Sequence, residues 1–215
     1  MMPTLAGHPL LDHPVIPLAT VRAEEHIDAI GDGLVAADLP VVEVALRGPH
    51  GMTAIRRLAA RGDLLVGAGT VLTSEQAAEA LDAGAGFIVA PGLDIEVVQR
   101  VTAAGCPVIP GVLSPTEVAA AARLGLTHLK LFPASAVDAR VMLGAYADVF
   151  PDIRFMPSSG VNQHNIGEFA RLPSVFAVSG SWITAAAAAG AAGAAAVTEA
   201  ARTALAACPT AGLPR

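Results

Sequence analysis

Short apolar runs rich in valine, isoleucine and leucine punctuate this chain of 215 residues at 15–19, 41–46, 64–68, 87–90, 107–109, 128–132, 154–157 and 175–179. Between them lie segments of helical length and composition. Runs of this kind read as parallel strands buried on both faces, and eight of them alternating with eight helices predict an α/β fold of the closed (β/α)8 TIM-barrel type. The punctuation agrees. Ser114-Pro115-Thr116-Glu117 is a capping box with proline in the first helical turn, and Thr73-Ser74-Glu75-Gln76 offers a second box. Gly62, Gly84, Gly105 and Gly125 each close a helical pattern shortly before a strand, where a left-handed cap requires glycine. An open doubly wound sheet is the competing architecture, but no glycine fingerprint follows Ala19. One domain is expected over 1–215, with 1–14 as an N-terminal extension. Residues 185–215 form an alanine-rich final helix and tail, the helix weakened by Gly190 and Gly193.

Strand alternation places two charges where charges are costly. In Val41-Val42-Glu43-Val44-Ala45-Leu46-Arg47 Val42, Val44 and Leu46 share one face, so they meet the helices while Glu43, Ala45 and Arg47 lie on the other and Glu43 and Arg47 point inward. In the sixth run Leu129 and Leu131 face outward, and His128, Lys130 and Phe132 face in. His128 is expected to be a satisfied core polar group near the barrel floor, and Cys106 a small buried residue. Composition sharpens the point about Lys130: the 13 basic residues are twelve arginines and this one lysine. A lysine desolvated inside a barrel can offer a free amine to a carbonyl, and a protonated Schiff base so formed is an electron sink that lets an adjacent carbon–carbon bond break. A carboxylate such as Glu43 can move the protons.

Charge and composition narrow the partners. A net charge of −6 argues against nucleic acid, and 53% hydrophobic with only 15% charged residues argues for a folded core. Cys106 and Cys208 form no CxxC pair, no stretch is long and apolar enough to span a membrane, and no basic residue other than histidine precedes Arg22. A cytoplasmic protein without a secretory leader, nucleic-acid partner or membrane partner is expected. The six histidines show no metal-binding spacing, so no metal is expected.

Val42 to Arg47, Gly67-Ala68-Gly69-Thr70-Val71-Leu72, Ala90-Pro91-Gly92, Pro110-Gly111, Lys130-Leu131-Phe132-Pro133-Ala134 and Gly180-Ser181-Trp182 occur in that order. Together they resemble the 2-keto-3-deoxy-6-phosphogluconate (KDPG) / 4-hydroxy-2-oxoglutarate (KHG) aldolase family over residues 15 to 183. The resemblance implies a class I aldolase that splits KDPG into pyruvate and glyceraldehyde 3-phosphate, as a homotrimer, with no cofactor and a small keto-acid substrate. It implies Lys130 as the Schiff-base lysine and Glu43 as the general acid/base. Arg47, with Thr70 and the backbone around Pro91 and Gly92, would hold the pyruvyl carboxylate; Phe132 would wall the pocket. Ser158 would bond the substrate's hydroxyl or carboxylate, and Gly160, Gly180 and Ser181 would contact phosphate.

Each residue also has a structural reading. Thr70 can end a strand, Gly67 and Gly69 can serve packing, and Ser181 can cap a helix. The family's usual Thr-Gly-Gly after the seventh strand is Ser158-Ser159-Gly160 here, so a side chain stands where backbone amides approach phosphate. An aldolase for an unphosphorylated 4-hydroxy-2-oxoacid, in which Ser159 fits, is therefore the first alternative. A non-catalytic barrel that binds a phosphorylated metabolite, with Lys130 as anion anchor, is the second.

Overall fold

The computed structural model describes residue 5 and residues 7–208, so the ends of both predicted terminal segments, 1–4, 6 and 209–215, lie outside the described residues. Strands and helices alternate: β1 (Val15–Ala19), α1 (His26–Ala36), β2 (Val41–Ala45), α2 (Gly51–Ala59), β3 (Leu65–Gly69), α3 (Ser74–Asp82), β4 (Phe87–Val89) and α4 (Ile95–Ala103). There follow β5 (Val108–Ile109), β6 (Gly111–Val112), α5 (Pro115–Arg123), β7 (His128–Leu131), α6 (Ala139–Val149), β8 (Arg154–Pro157), α7 (Ile166–Ala170), β9 (Val178–Gly180), α8 (Trp182–Ala185) and α9 (Gly193–Ala207). Every strand pairing is parallel, in the orders β5-β4-β3-β2-β1-β9 and β6-β7-β8. The sheet curls, and its strands carry the core: Ile16, Val42, Val44, Phe87, Ile88, Leu129 and Phe155 are fully buried.

The fifth apolar run, 107–109, is followed by a second short strand outside its bounds. Pro110 separates β5 from β6 because proline has no N–H for the ladder, although the Pro110 carbonyl still accepts from the Lys130 N–H at 2.9 Å. The last run is also displaced. Only Val175 bridges to Phe155, because the Val175 N–H turns back to the Leu172 carbonyl, and the strand proper begins at Val178.

Helix ends follow their local chemistry. The Ser114 hydroxyl accepts from the Glu117 N–H while the Glu117 carboxylate accepts from the Ser114 N–H, completing the capping box. Thr73 accepts from the Gln76 N–H, but the Gln76 side chain accepts from Leu72 rather than from the cap residue, so this box closes one residue early. Gly62, Gly84, Gly105 and Gly125 all have positive φ, as a left-handed cap demands. The alanine-rich end is not one helix. It breaks into α8, two short 3-10 turns and α9, with Gly190 at φ 63 opening the second turn. At the other end Leu10 is fully buried in a 3-10 turn capped by His8, so part of the N-terminal extension belongs to the core. Among the described residues no helix is long and apolar enough to cross a membrane.

Candidate active site

β2 and β7 belong to different sheets, and their inward side chains meet across the interior. Lys130 Nζ donates to Glu43 Oε1 at 3.2 Å; the Glu43 side chain is fully buried and that of Lys130 is 6% exposed. Two charges taken so far out of water cost several kcal/mol each before their attraction is counted, and an apolar pair of similar volume would commonly be as stable. Burial of this kind singles the pair out as candidate functional groups. The lysine also lies over the Phe132 ring, 5.5 Å from its centroid.

Room for the carboxylate comes from β3. Gly69 pairs with Ala45, and a Cβ built there would stand 2.2 Å from Glu43 Oε1. Gly67, by contrast, is filled by the Phe87 ring, so its lack of a side chain serves packing alone. The second carboxylate oxygen faces Ser179, whose hydroxyl donates to Glu43 Oε2 at 3.5 Å, a long and therefore weak bond between two fully buried groups. Alternation along 175–179 puts Ser179 inward with Val175 and Ala177, so a polar side chain on a buried strand face was the signal that could have found it.

Lys130 opens into a cavity of about 370 Å³. Arg47, Phe132, Ser158, Ser159, Gly160, Gly180 and Ser181 line it, joined by Leu18, Val161 and Ser179, which the sequence motifs did not single out. Thr70 and Pro91 are not among its walls. Thr70 ends β3 in a left-handed conformation, φ 59, and the Pro91 carbonyl packs so closely on Gly111 that a Cβ there would lie 2.1 Å away. Arg47 lies beyond the end of β2, in the turn that leads to α2, where its Nη2 donates to the Thr20 hydroxyl at 3.1 Å.

The loop after β8 keeps a glycine-like backbone without the glycine. Ser159 and Gly160 have φ 74 and 83, and for the serine that conformation costs about 1–2 kcal/mol. A hydroxyl pair between Ser159 and Ser135, 2.9 Å apart, and a bond from the Asn165 amide to the Gly160 carbonyl, 2.8 Å, hold the turn.

His128 lies at the amino end of β7, paired in register with Arg154, and only part of its expected satisfaction is met. Nδ1 is 3.0 Å from the Thr127 hydroxyl, whereas Nε2 is buried without a partner beside Phe176. Burial, and secondarily the Arg154 charge, push its pKa down to about 4. Cys106 and Cys208 are buried free thiols, and burial raises both to about 11.

Residues 8–200 match the family described as KDPG and KHG aldolase. The chain is 38% identical to a 2-dehydro-3-deoxy-phosphogluconate aldolase of Pseudomonas aeruginosa, covering 89% of this chain and 87% of that one. It is 36% identical to the KHG/KDPG aldolase of Escherichia coli, covering 94% and 95%. Its fold superposes, with a TM-score of 0.83 and 35% identity over 88% of this chain and 93% of the other, on a Legionella pneumophila KDPG aldolase with pyruvate captured as a covalent carbinolamine intermediate.

Proposed function

The chain belongs to the KDPG and KHG aldolase family, and from that membership we propose that it is a class I aldolase cleaving 2-keto-3-deoxy-6-phosphogluconate to pyruvate and glyceraldehyde 3-phosphate. The single observation that carries this reading on the chain's own residues is the buried contact between Glu43 and Lys130, which lines the cavity.

In this reading the Lys130 amine attacks the C2 ketone, and Glu43 supplies and removes the protons that convert carbinolamine to protonated imine and water. Loss of the C4 hydroxyl proton then lets the C3–C4 bond break. Its electron pair moves into the iminium to give an enamine, and the aldehyde leaves. Protonation at C3 and hydrolysis release pyruvate and the free amine. Arg47, with Thr70 and the Pro91–Gly92 backbone, holds the pyruvyl carboxylate. Ser158 bonds the C4 oxygen or carboxylate, Phe132 walls the cavity, and Ser159, Gly160, Gly180 and Ser181 receive the phosphate. That eight of these residues share one cavity with Lys130 or contact it supports the assignment; Thr70 and Pro91 rest on the family resemblance.

The same proposal includes three coarser features. The curled sheet closes as a (β/α)8 barrel, with β5 and β6 as one strand interrupted at Pro110, supported by the Lys130–Pro110 backbone bond and the Phe155–Val175 bridge. The chain acts as one domain and as a cytoplasmic homotrimer; free cysteines favour a reducing compartment, and Leu72, Ile95, Val141 and Val149, all more than half exposed, offer apolar surface for self-association. Ser159 favours a second substrate reading, an unphosphorylated 4-hydroxy-2-oxoacid, because its side chain narrows the approach to the backbone amides. Comparing kcat/KM on KDPG and 4-hydroxy-2-oxoglutarate separates the two.

Borohydride trapping tests the chemistry. Incubation with pyruvate followed by reduction should add mass to the peptide carrying Lys130, the chain's one lysine. Lys130→Ala should abolish that adduct. An unmodified Lys130 in the native protein would refute the Schiff-base role.

A further inference from the structure

Glu43 and Ser179 stand on the two strands that flank β1. Glu43 is in register with Leu18 and Ser179 with Ile16, positions on one face of β1, so the inward side chains of β2 and β9 approach each other over that strand. Lys130 joins them from β7, and the interior layers of a barrel are filled in this way by alternate strands. Among the described residues the Glu43 carboxylate has two hydrogen-bond donors, Lys130 on Oε1 and the Ser179 hydroxyl on Oε2, and Ser179 has no hydrogen-bond partner besides Oε2. Glu43 and Ser179 are both fully buried. A buried hydroxyl with one acceptor commits its single proton to it.

Placement of this carboxylate matters because it is set back from the cavity. Lys130 and Ser179 are among the cavity walls and Glu43 is not. A Cβ at Gly69 would stand 2.2 Å from Oε1 and 2.8 Å from Cδ, so β3 closes one side of the carboxylate. The aim of Oε1 then decides whether its proton meets a substrate oxygen at Lys130.

The aldolase reading makes that aim vulnerable at one step. In the resting site Lys130 donates to Oε1. In the carbinolamine the same nitrogen is neutral and bonded to the substrate's C2, so the charge that held Oε1 is gone. Glu43 must then give a proton to the carbinolamine hydroxyl: the C2–O bond breaks, water leaves, the nitrogen lone pair closes the protonated imine, and Glu43 is left as a carboxylate. A neutral donor on Oε2 keeps its bond through the change, and that bond strengthens as its acceptor becomes charged. At 3.5 Å the contact is long, and contacts of this kind shorten as the reacting complex forms.

We propose that Ser179 is a positioning residue for the acid/base chemistry. Its hydroxyl anchors Oε2, keeps Oε1 turned to the Lys130 nitrogen after that nitrogen has lost its charge, and stabilises the carboxylate that forms as water leaves. The inference rests on the aldolase reading and adds to it a residue that acts through Glu43 on proton transfer, not on substrate binding.

A double-mutant cycle in the full chain, with Ser179→Ala and Glu43→Gln, tests it on whichever of KDPG and 4-hydroxy-2-oxoglutarate the unsubstituted protein cleaves faster. Each kcat is referred to the fraction of chains whose Lys130 takes the borohydride-trapped pyruvate adduct at constant yield, so misfolded protein drops out. Ser179→Ala should lower kcat about tenfold, the effect of one hydrogen bond to a charged group, and leave KM within about twofold. With Glu43→Gln present, the same substitution should change the residual kcat by less than about twofold, because no acid/base group remains for the hydroxyl to place. An equal loss in both backgrounds would overturn the proposal, since a serine that merely fills space acts whatever stands at position 43. So would an unchanged kcat, or a loss expressed in KM alone. The two readings fail separately: absence of the Lys130 adduct in the unsubstituted protein refutes the aldolase chemistry, whereas a normal adduct with parental kcat in Ser179→Ala refutes the role of Ser179 alone.

Discussion

Glu43 is the residue whose setting explains most about the site. Its strand was readable as a buried one, and a carboxylate among valines needed a reason, so the charge itself announced the site. Gly69 and Ser179 carried weaker signals, because a glycine or a serine in a strand has many ordinary explanations. In space they act on the same carboxylate: Gly69 leaves the volume that Oε1 occupies, and Ser179 meets Oε2. Gly69→Ala therefore forces the carboxylate away from Lys130. It should lower kcat by about 10²-fold or more, the scale of general acid/base catalysis, while the far-UV circular dichroism stays that of the parent. A kcat within threefold of the parent would show that Glu43 works without this placement.

At the scale of elements, caps were legible and contacts between elements were not. A cap is written within four or five consecutive residues, as at Ser114 and Gly125. The packing of α9 on α1 joins residues more than 150 positions apart. There the alanines and glycines that looked like a weak helix allow close approach: a Cβ on Gly33 would lie 2.6 Å from both the Ala194 carbonyl oxygen and Val197 Cβ, and the Thr198 hydroxyl donates to the Gly33 carbonyl at 3.0 Å. Two effects compete in Gly33→Ala. Helix propensity favours alanine by about 1 kcal/mol, whereas overpacking against backbone costs about 1–3 kcal/mol. Packing should win because the obstructing carbonyl cannot rotate away, so the urea midpoint should fall. A rise would mean that α9 shifts without penalty. The break of the C-terminal segment at Gly190 shows the same limit, since glycine content indicated weakness but not where the chain would turn.

For the molecule as a whole, acid stability should depend on the amino end of β7, apart from the Lys130–Glu43 pair. Folded His128 takes its proton only near pH 4, below the ordinary value of 6.5. The unfolded chain thus binds this proton first as pH falls, so the contribution is complete above about 6.5, declines between 6.5 and 4, and changes no further below that. The loss amounts to about 3 kcal/mol at most. Urea unfolding at pH 7, 5.5 and 4.5 should show a steeper decline for the parent than for His128→Leu, which also removes the unpartnered Nε2; parallel declines would assign the acid sensitivity to other groups. Native Cys106 and Cys208, whose thiols are held near 11, should likewise resist alkylation at pH 8 until the fold opens. By itself the sequence determined which segments are buried strands, how α3 and α5 begin, how α2 to α5 end, and that Glu43 and Lys130 face inward, because these depend on periodicity and on contacts a few residues apart. Only the tertiary structure decided that Lys130 meets Glu43 at 3.2 Å across 87 residues of chain, and that Gly69 and Ser179 frame the carboxylate. Distances between strands and loops far apart in sequence are set by packing the entire sheet, and no local pattern encodes them.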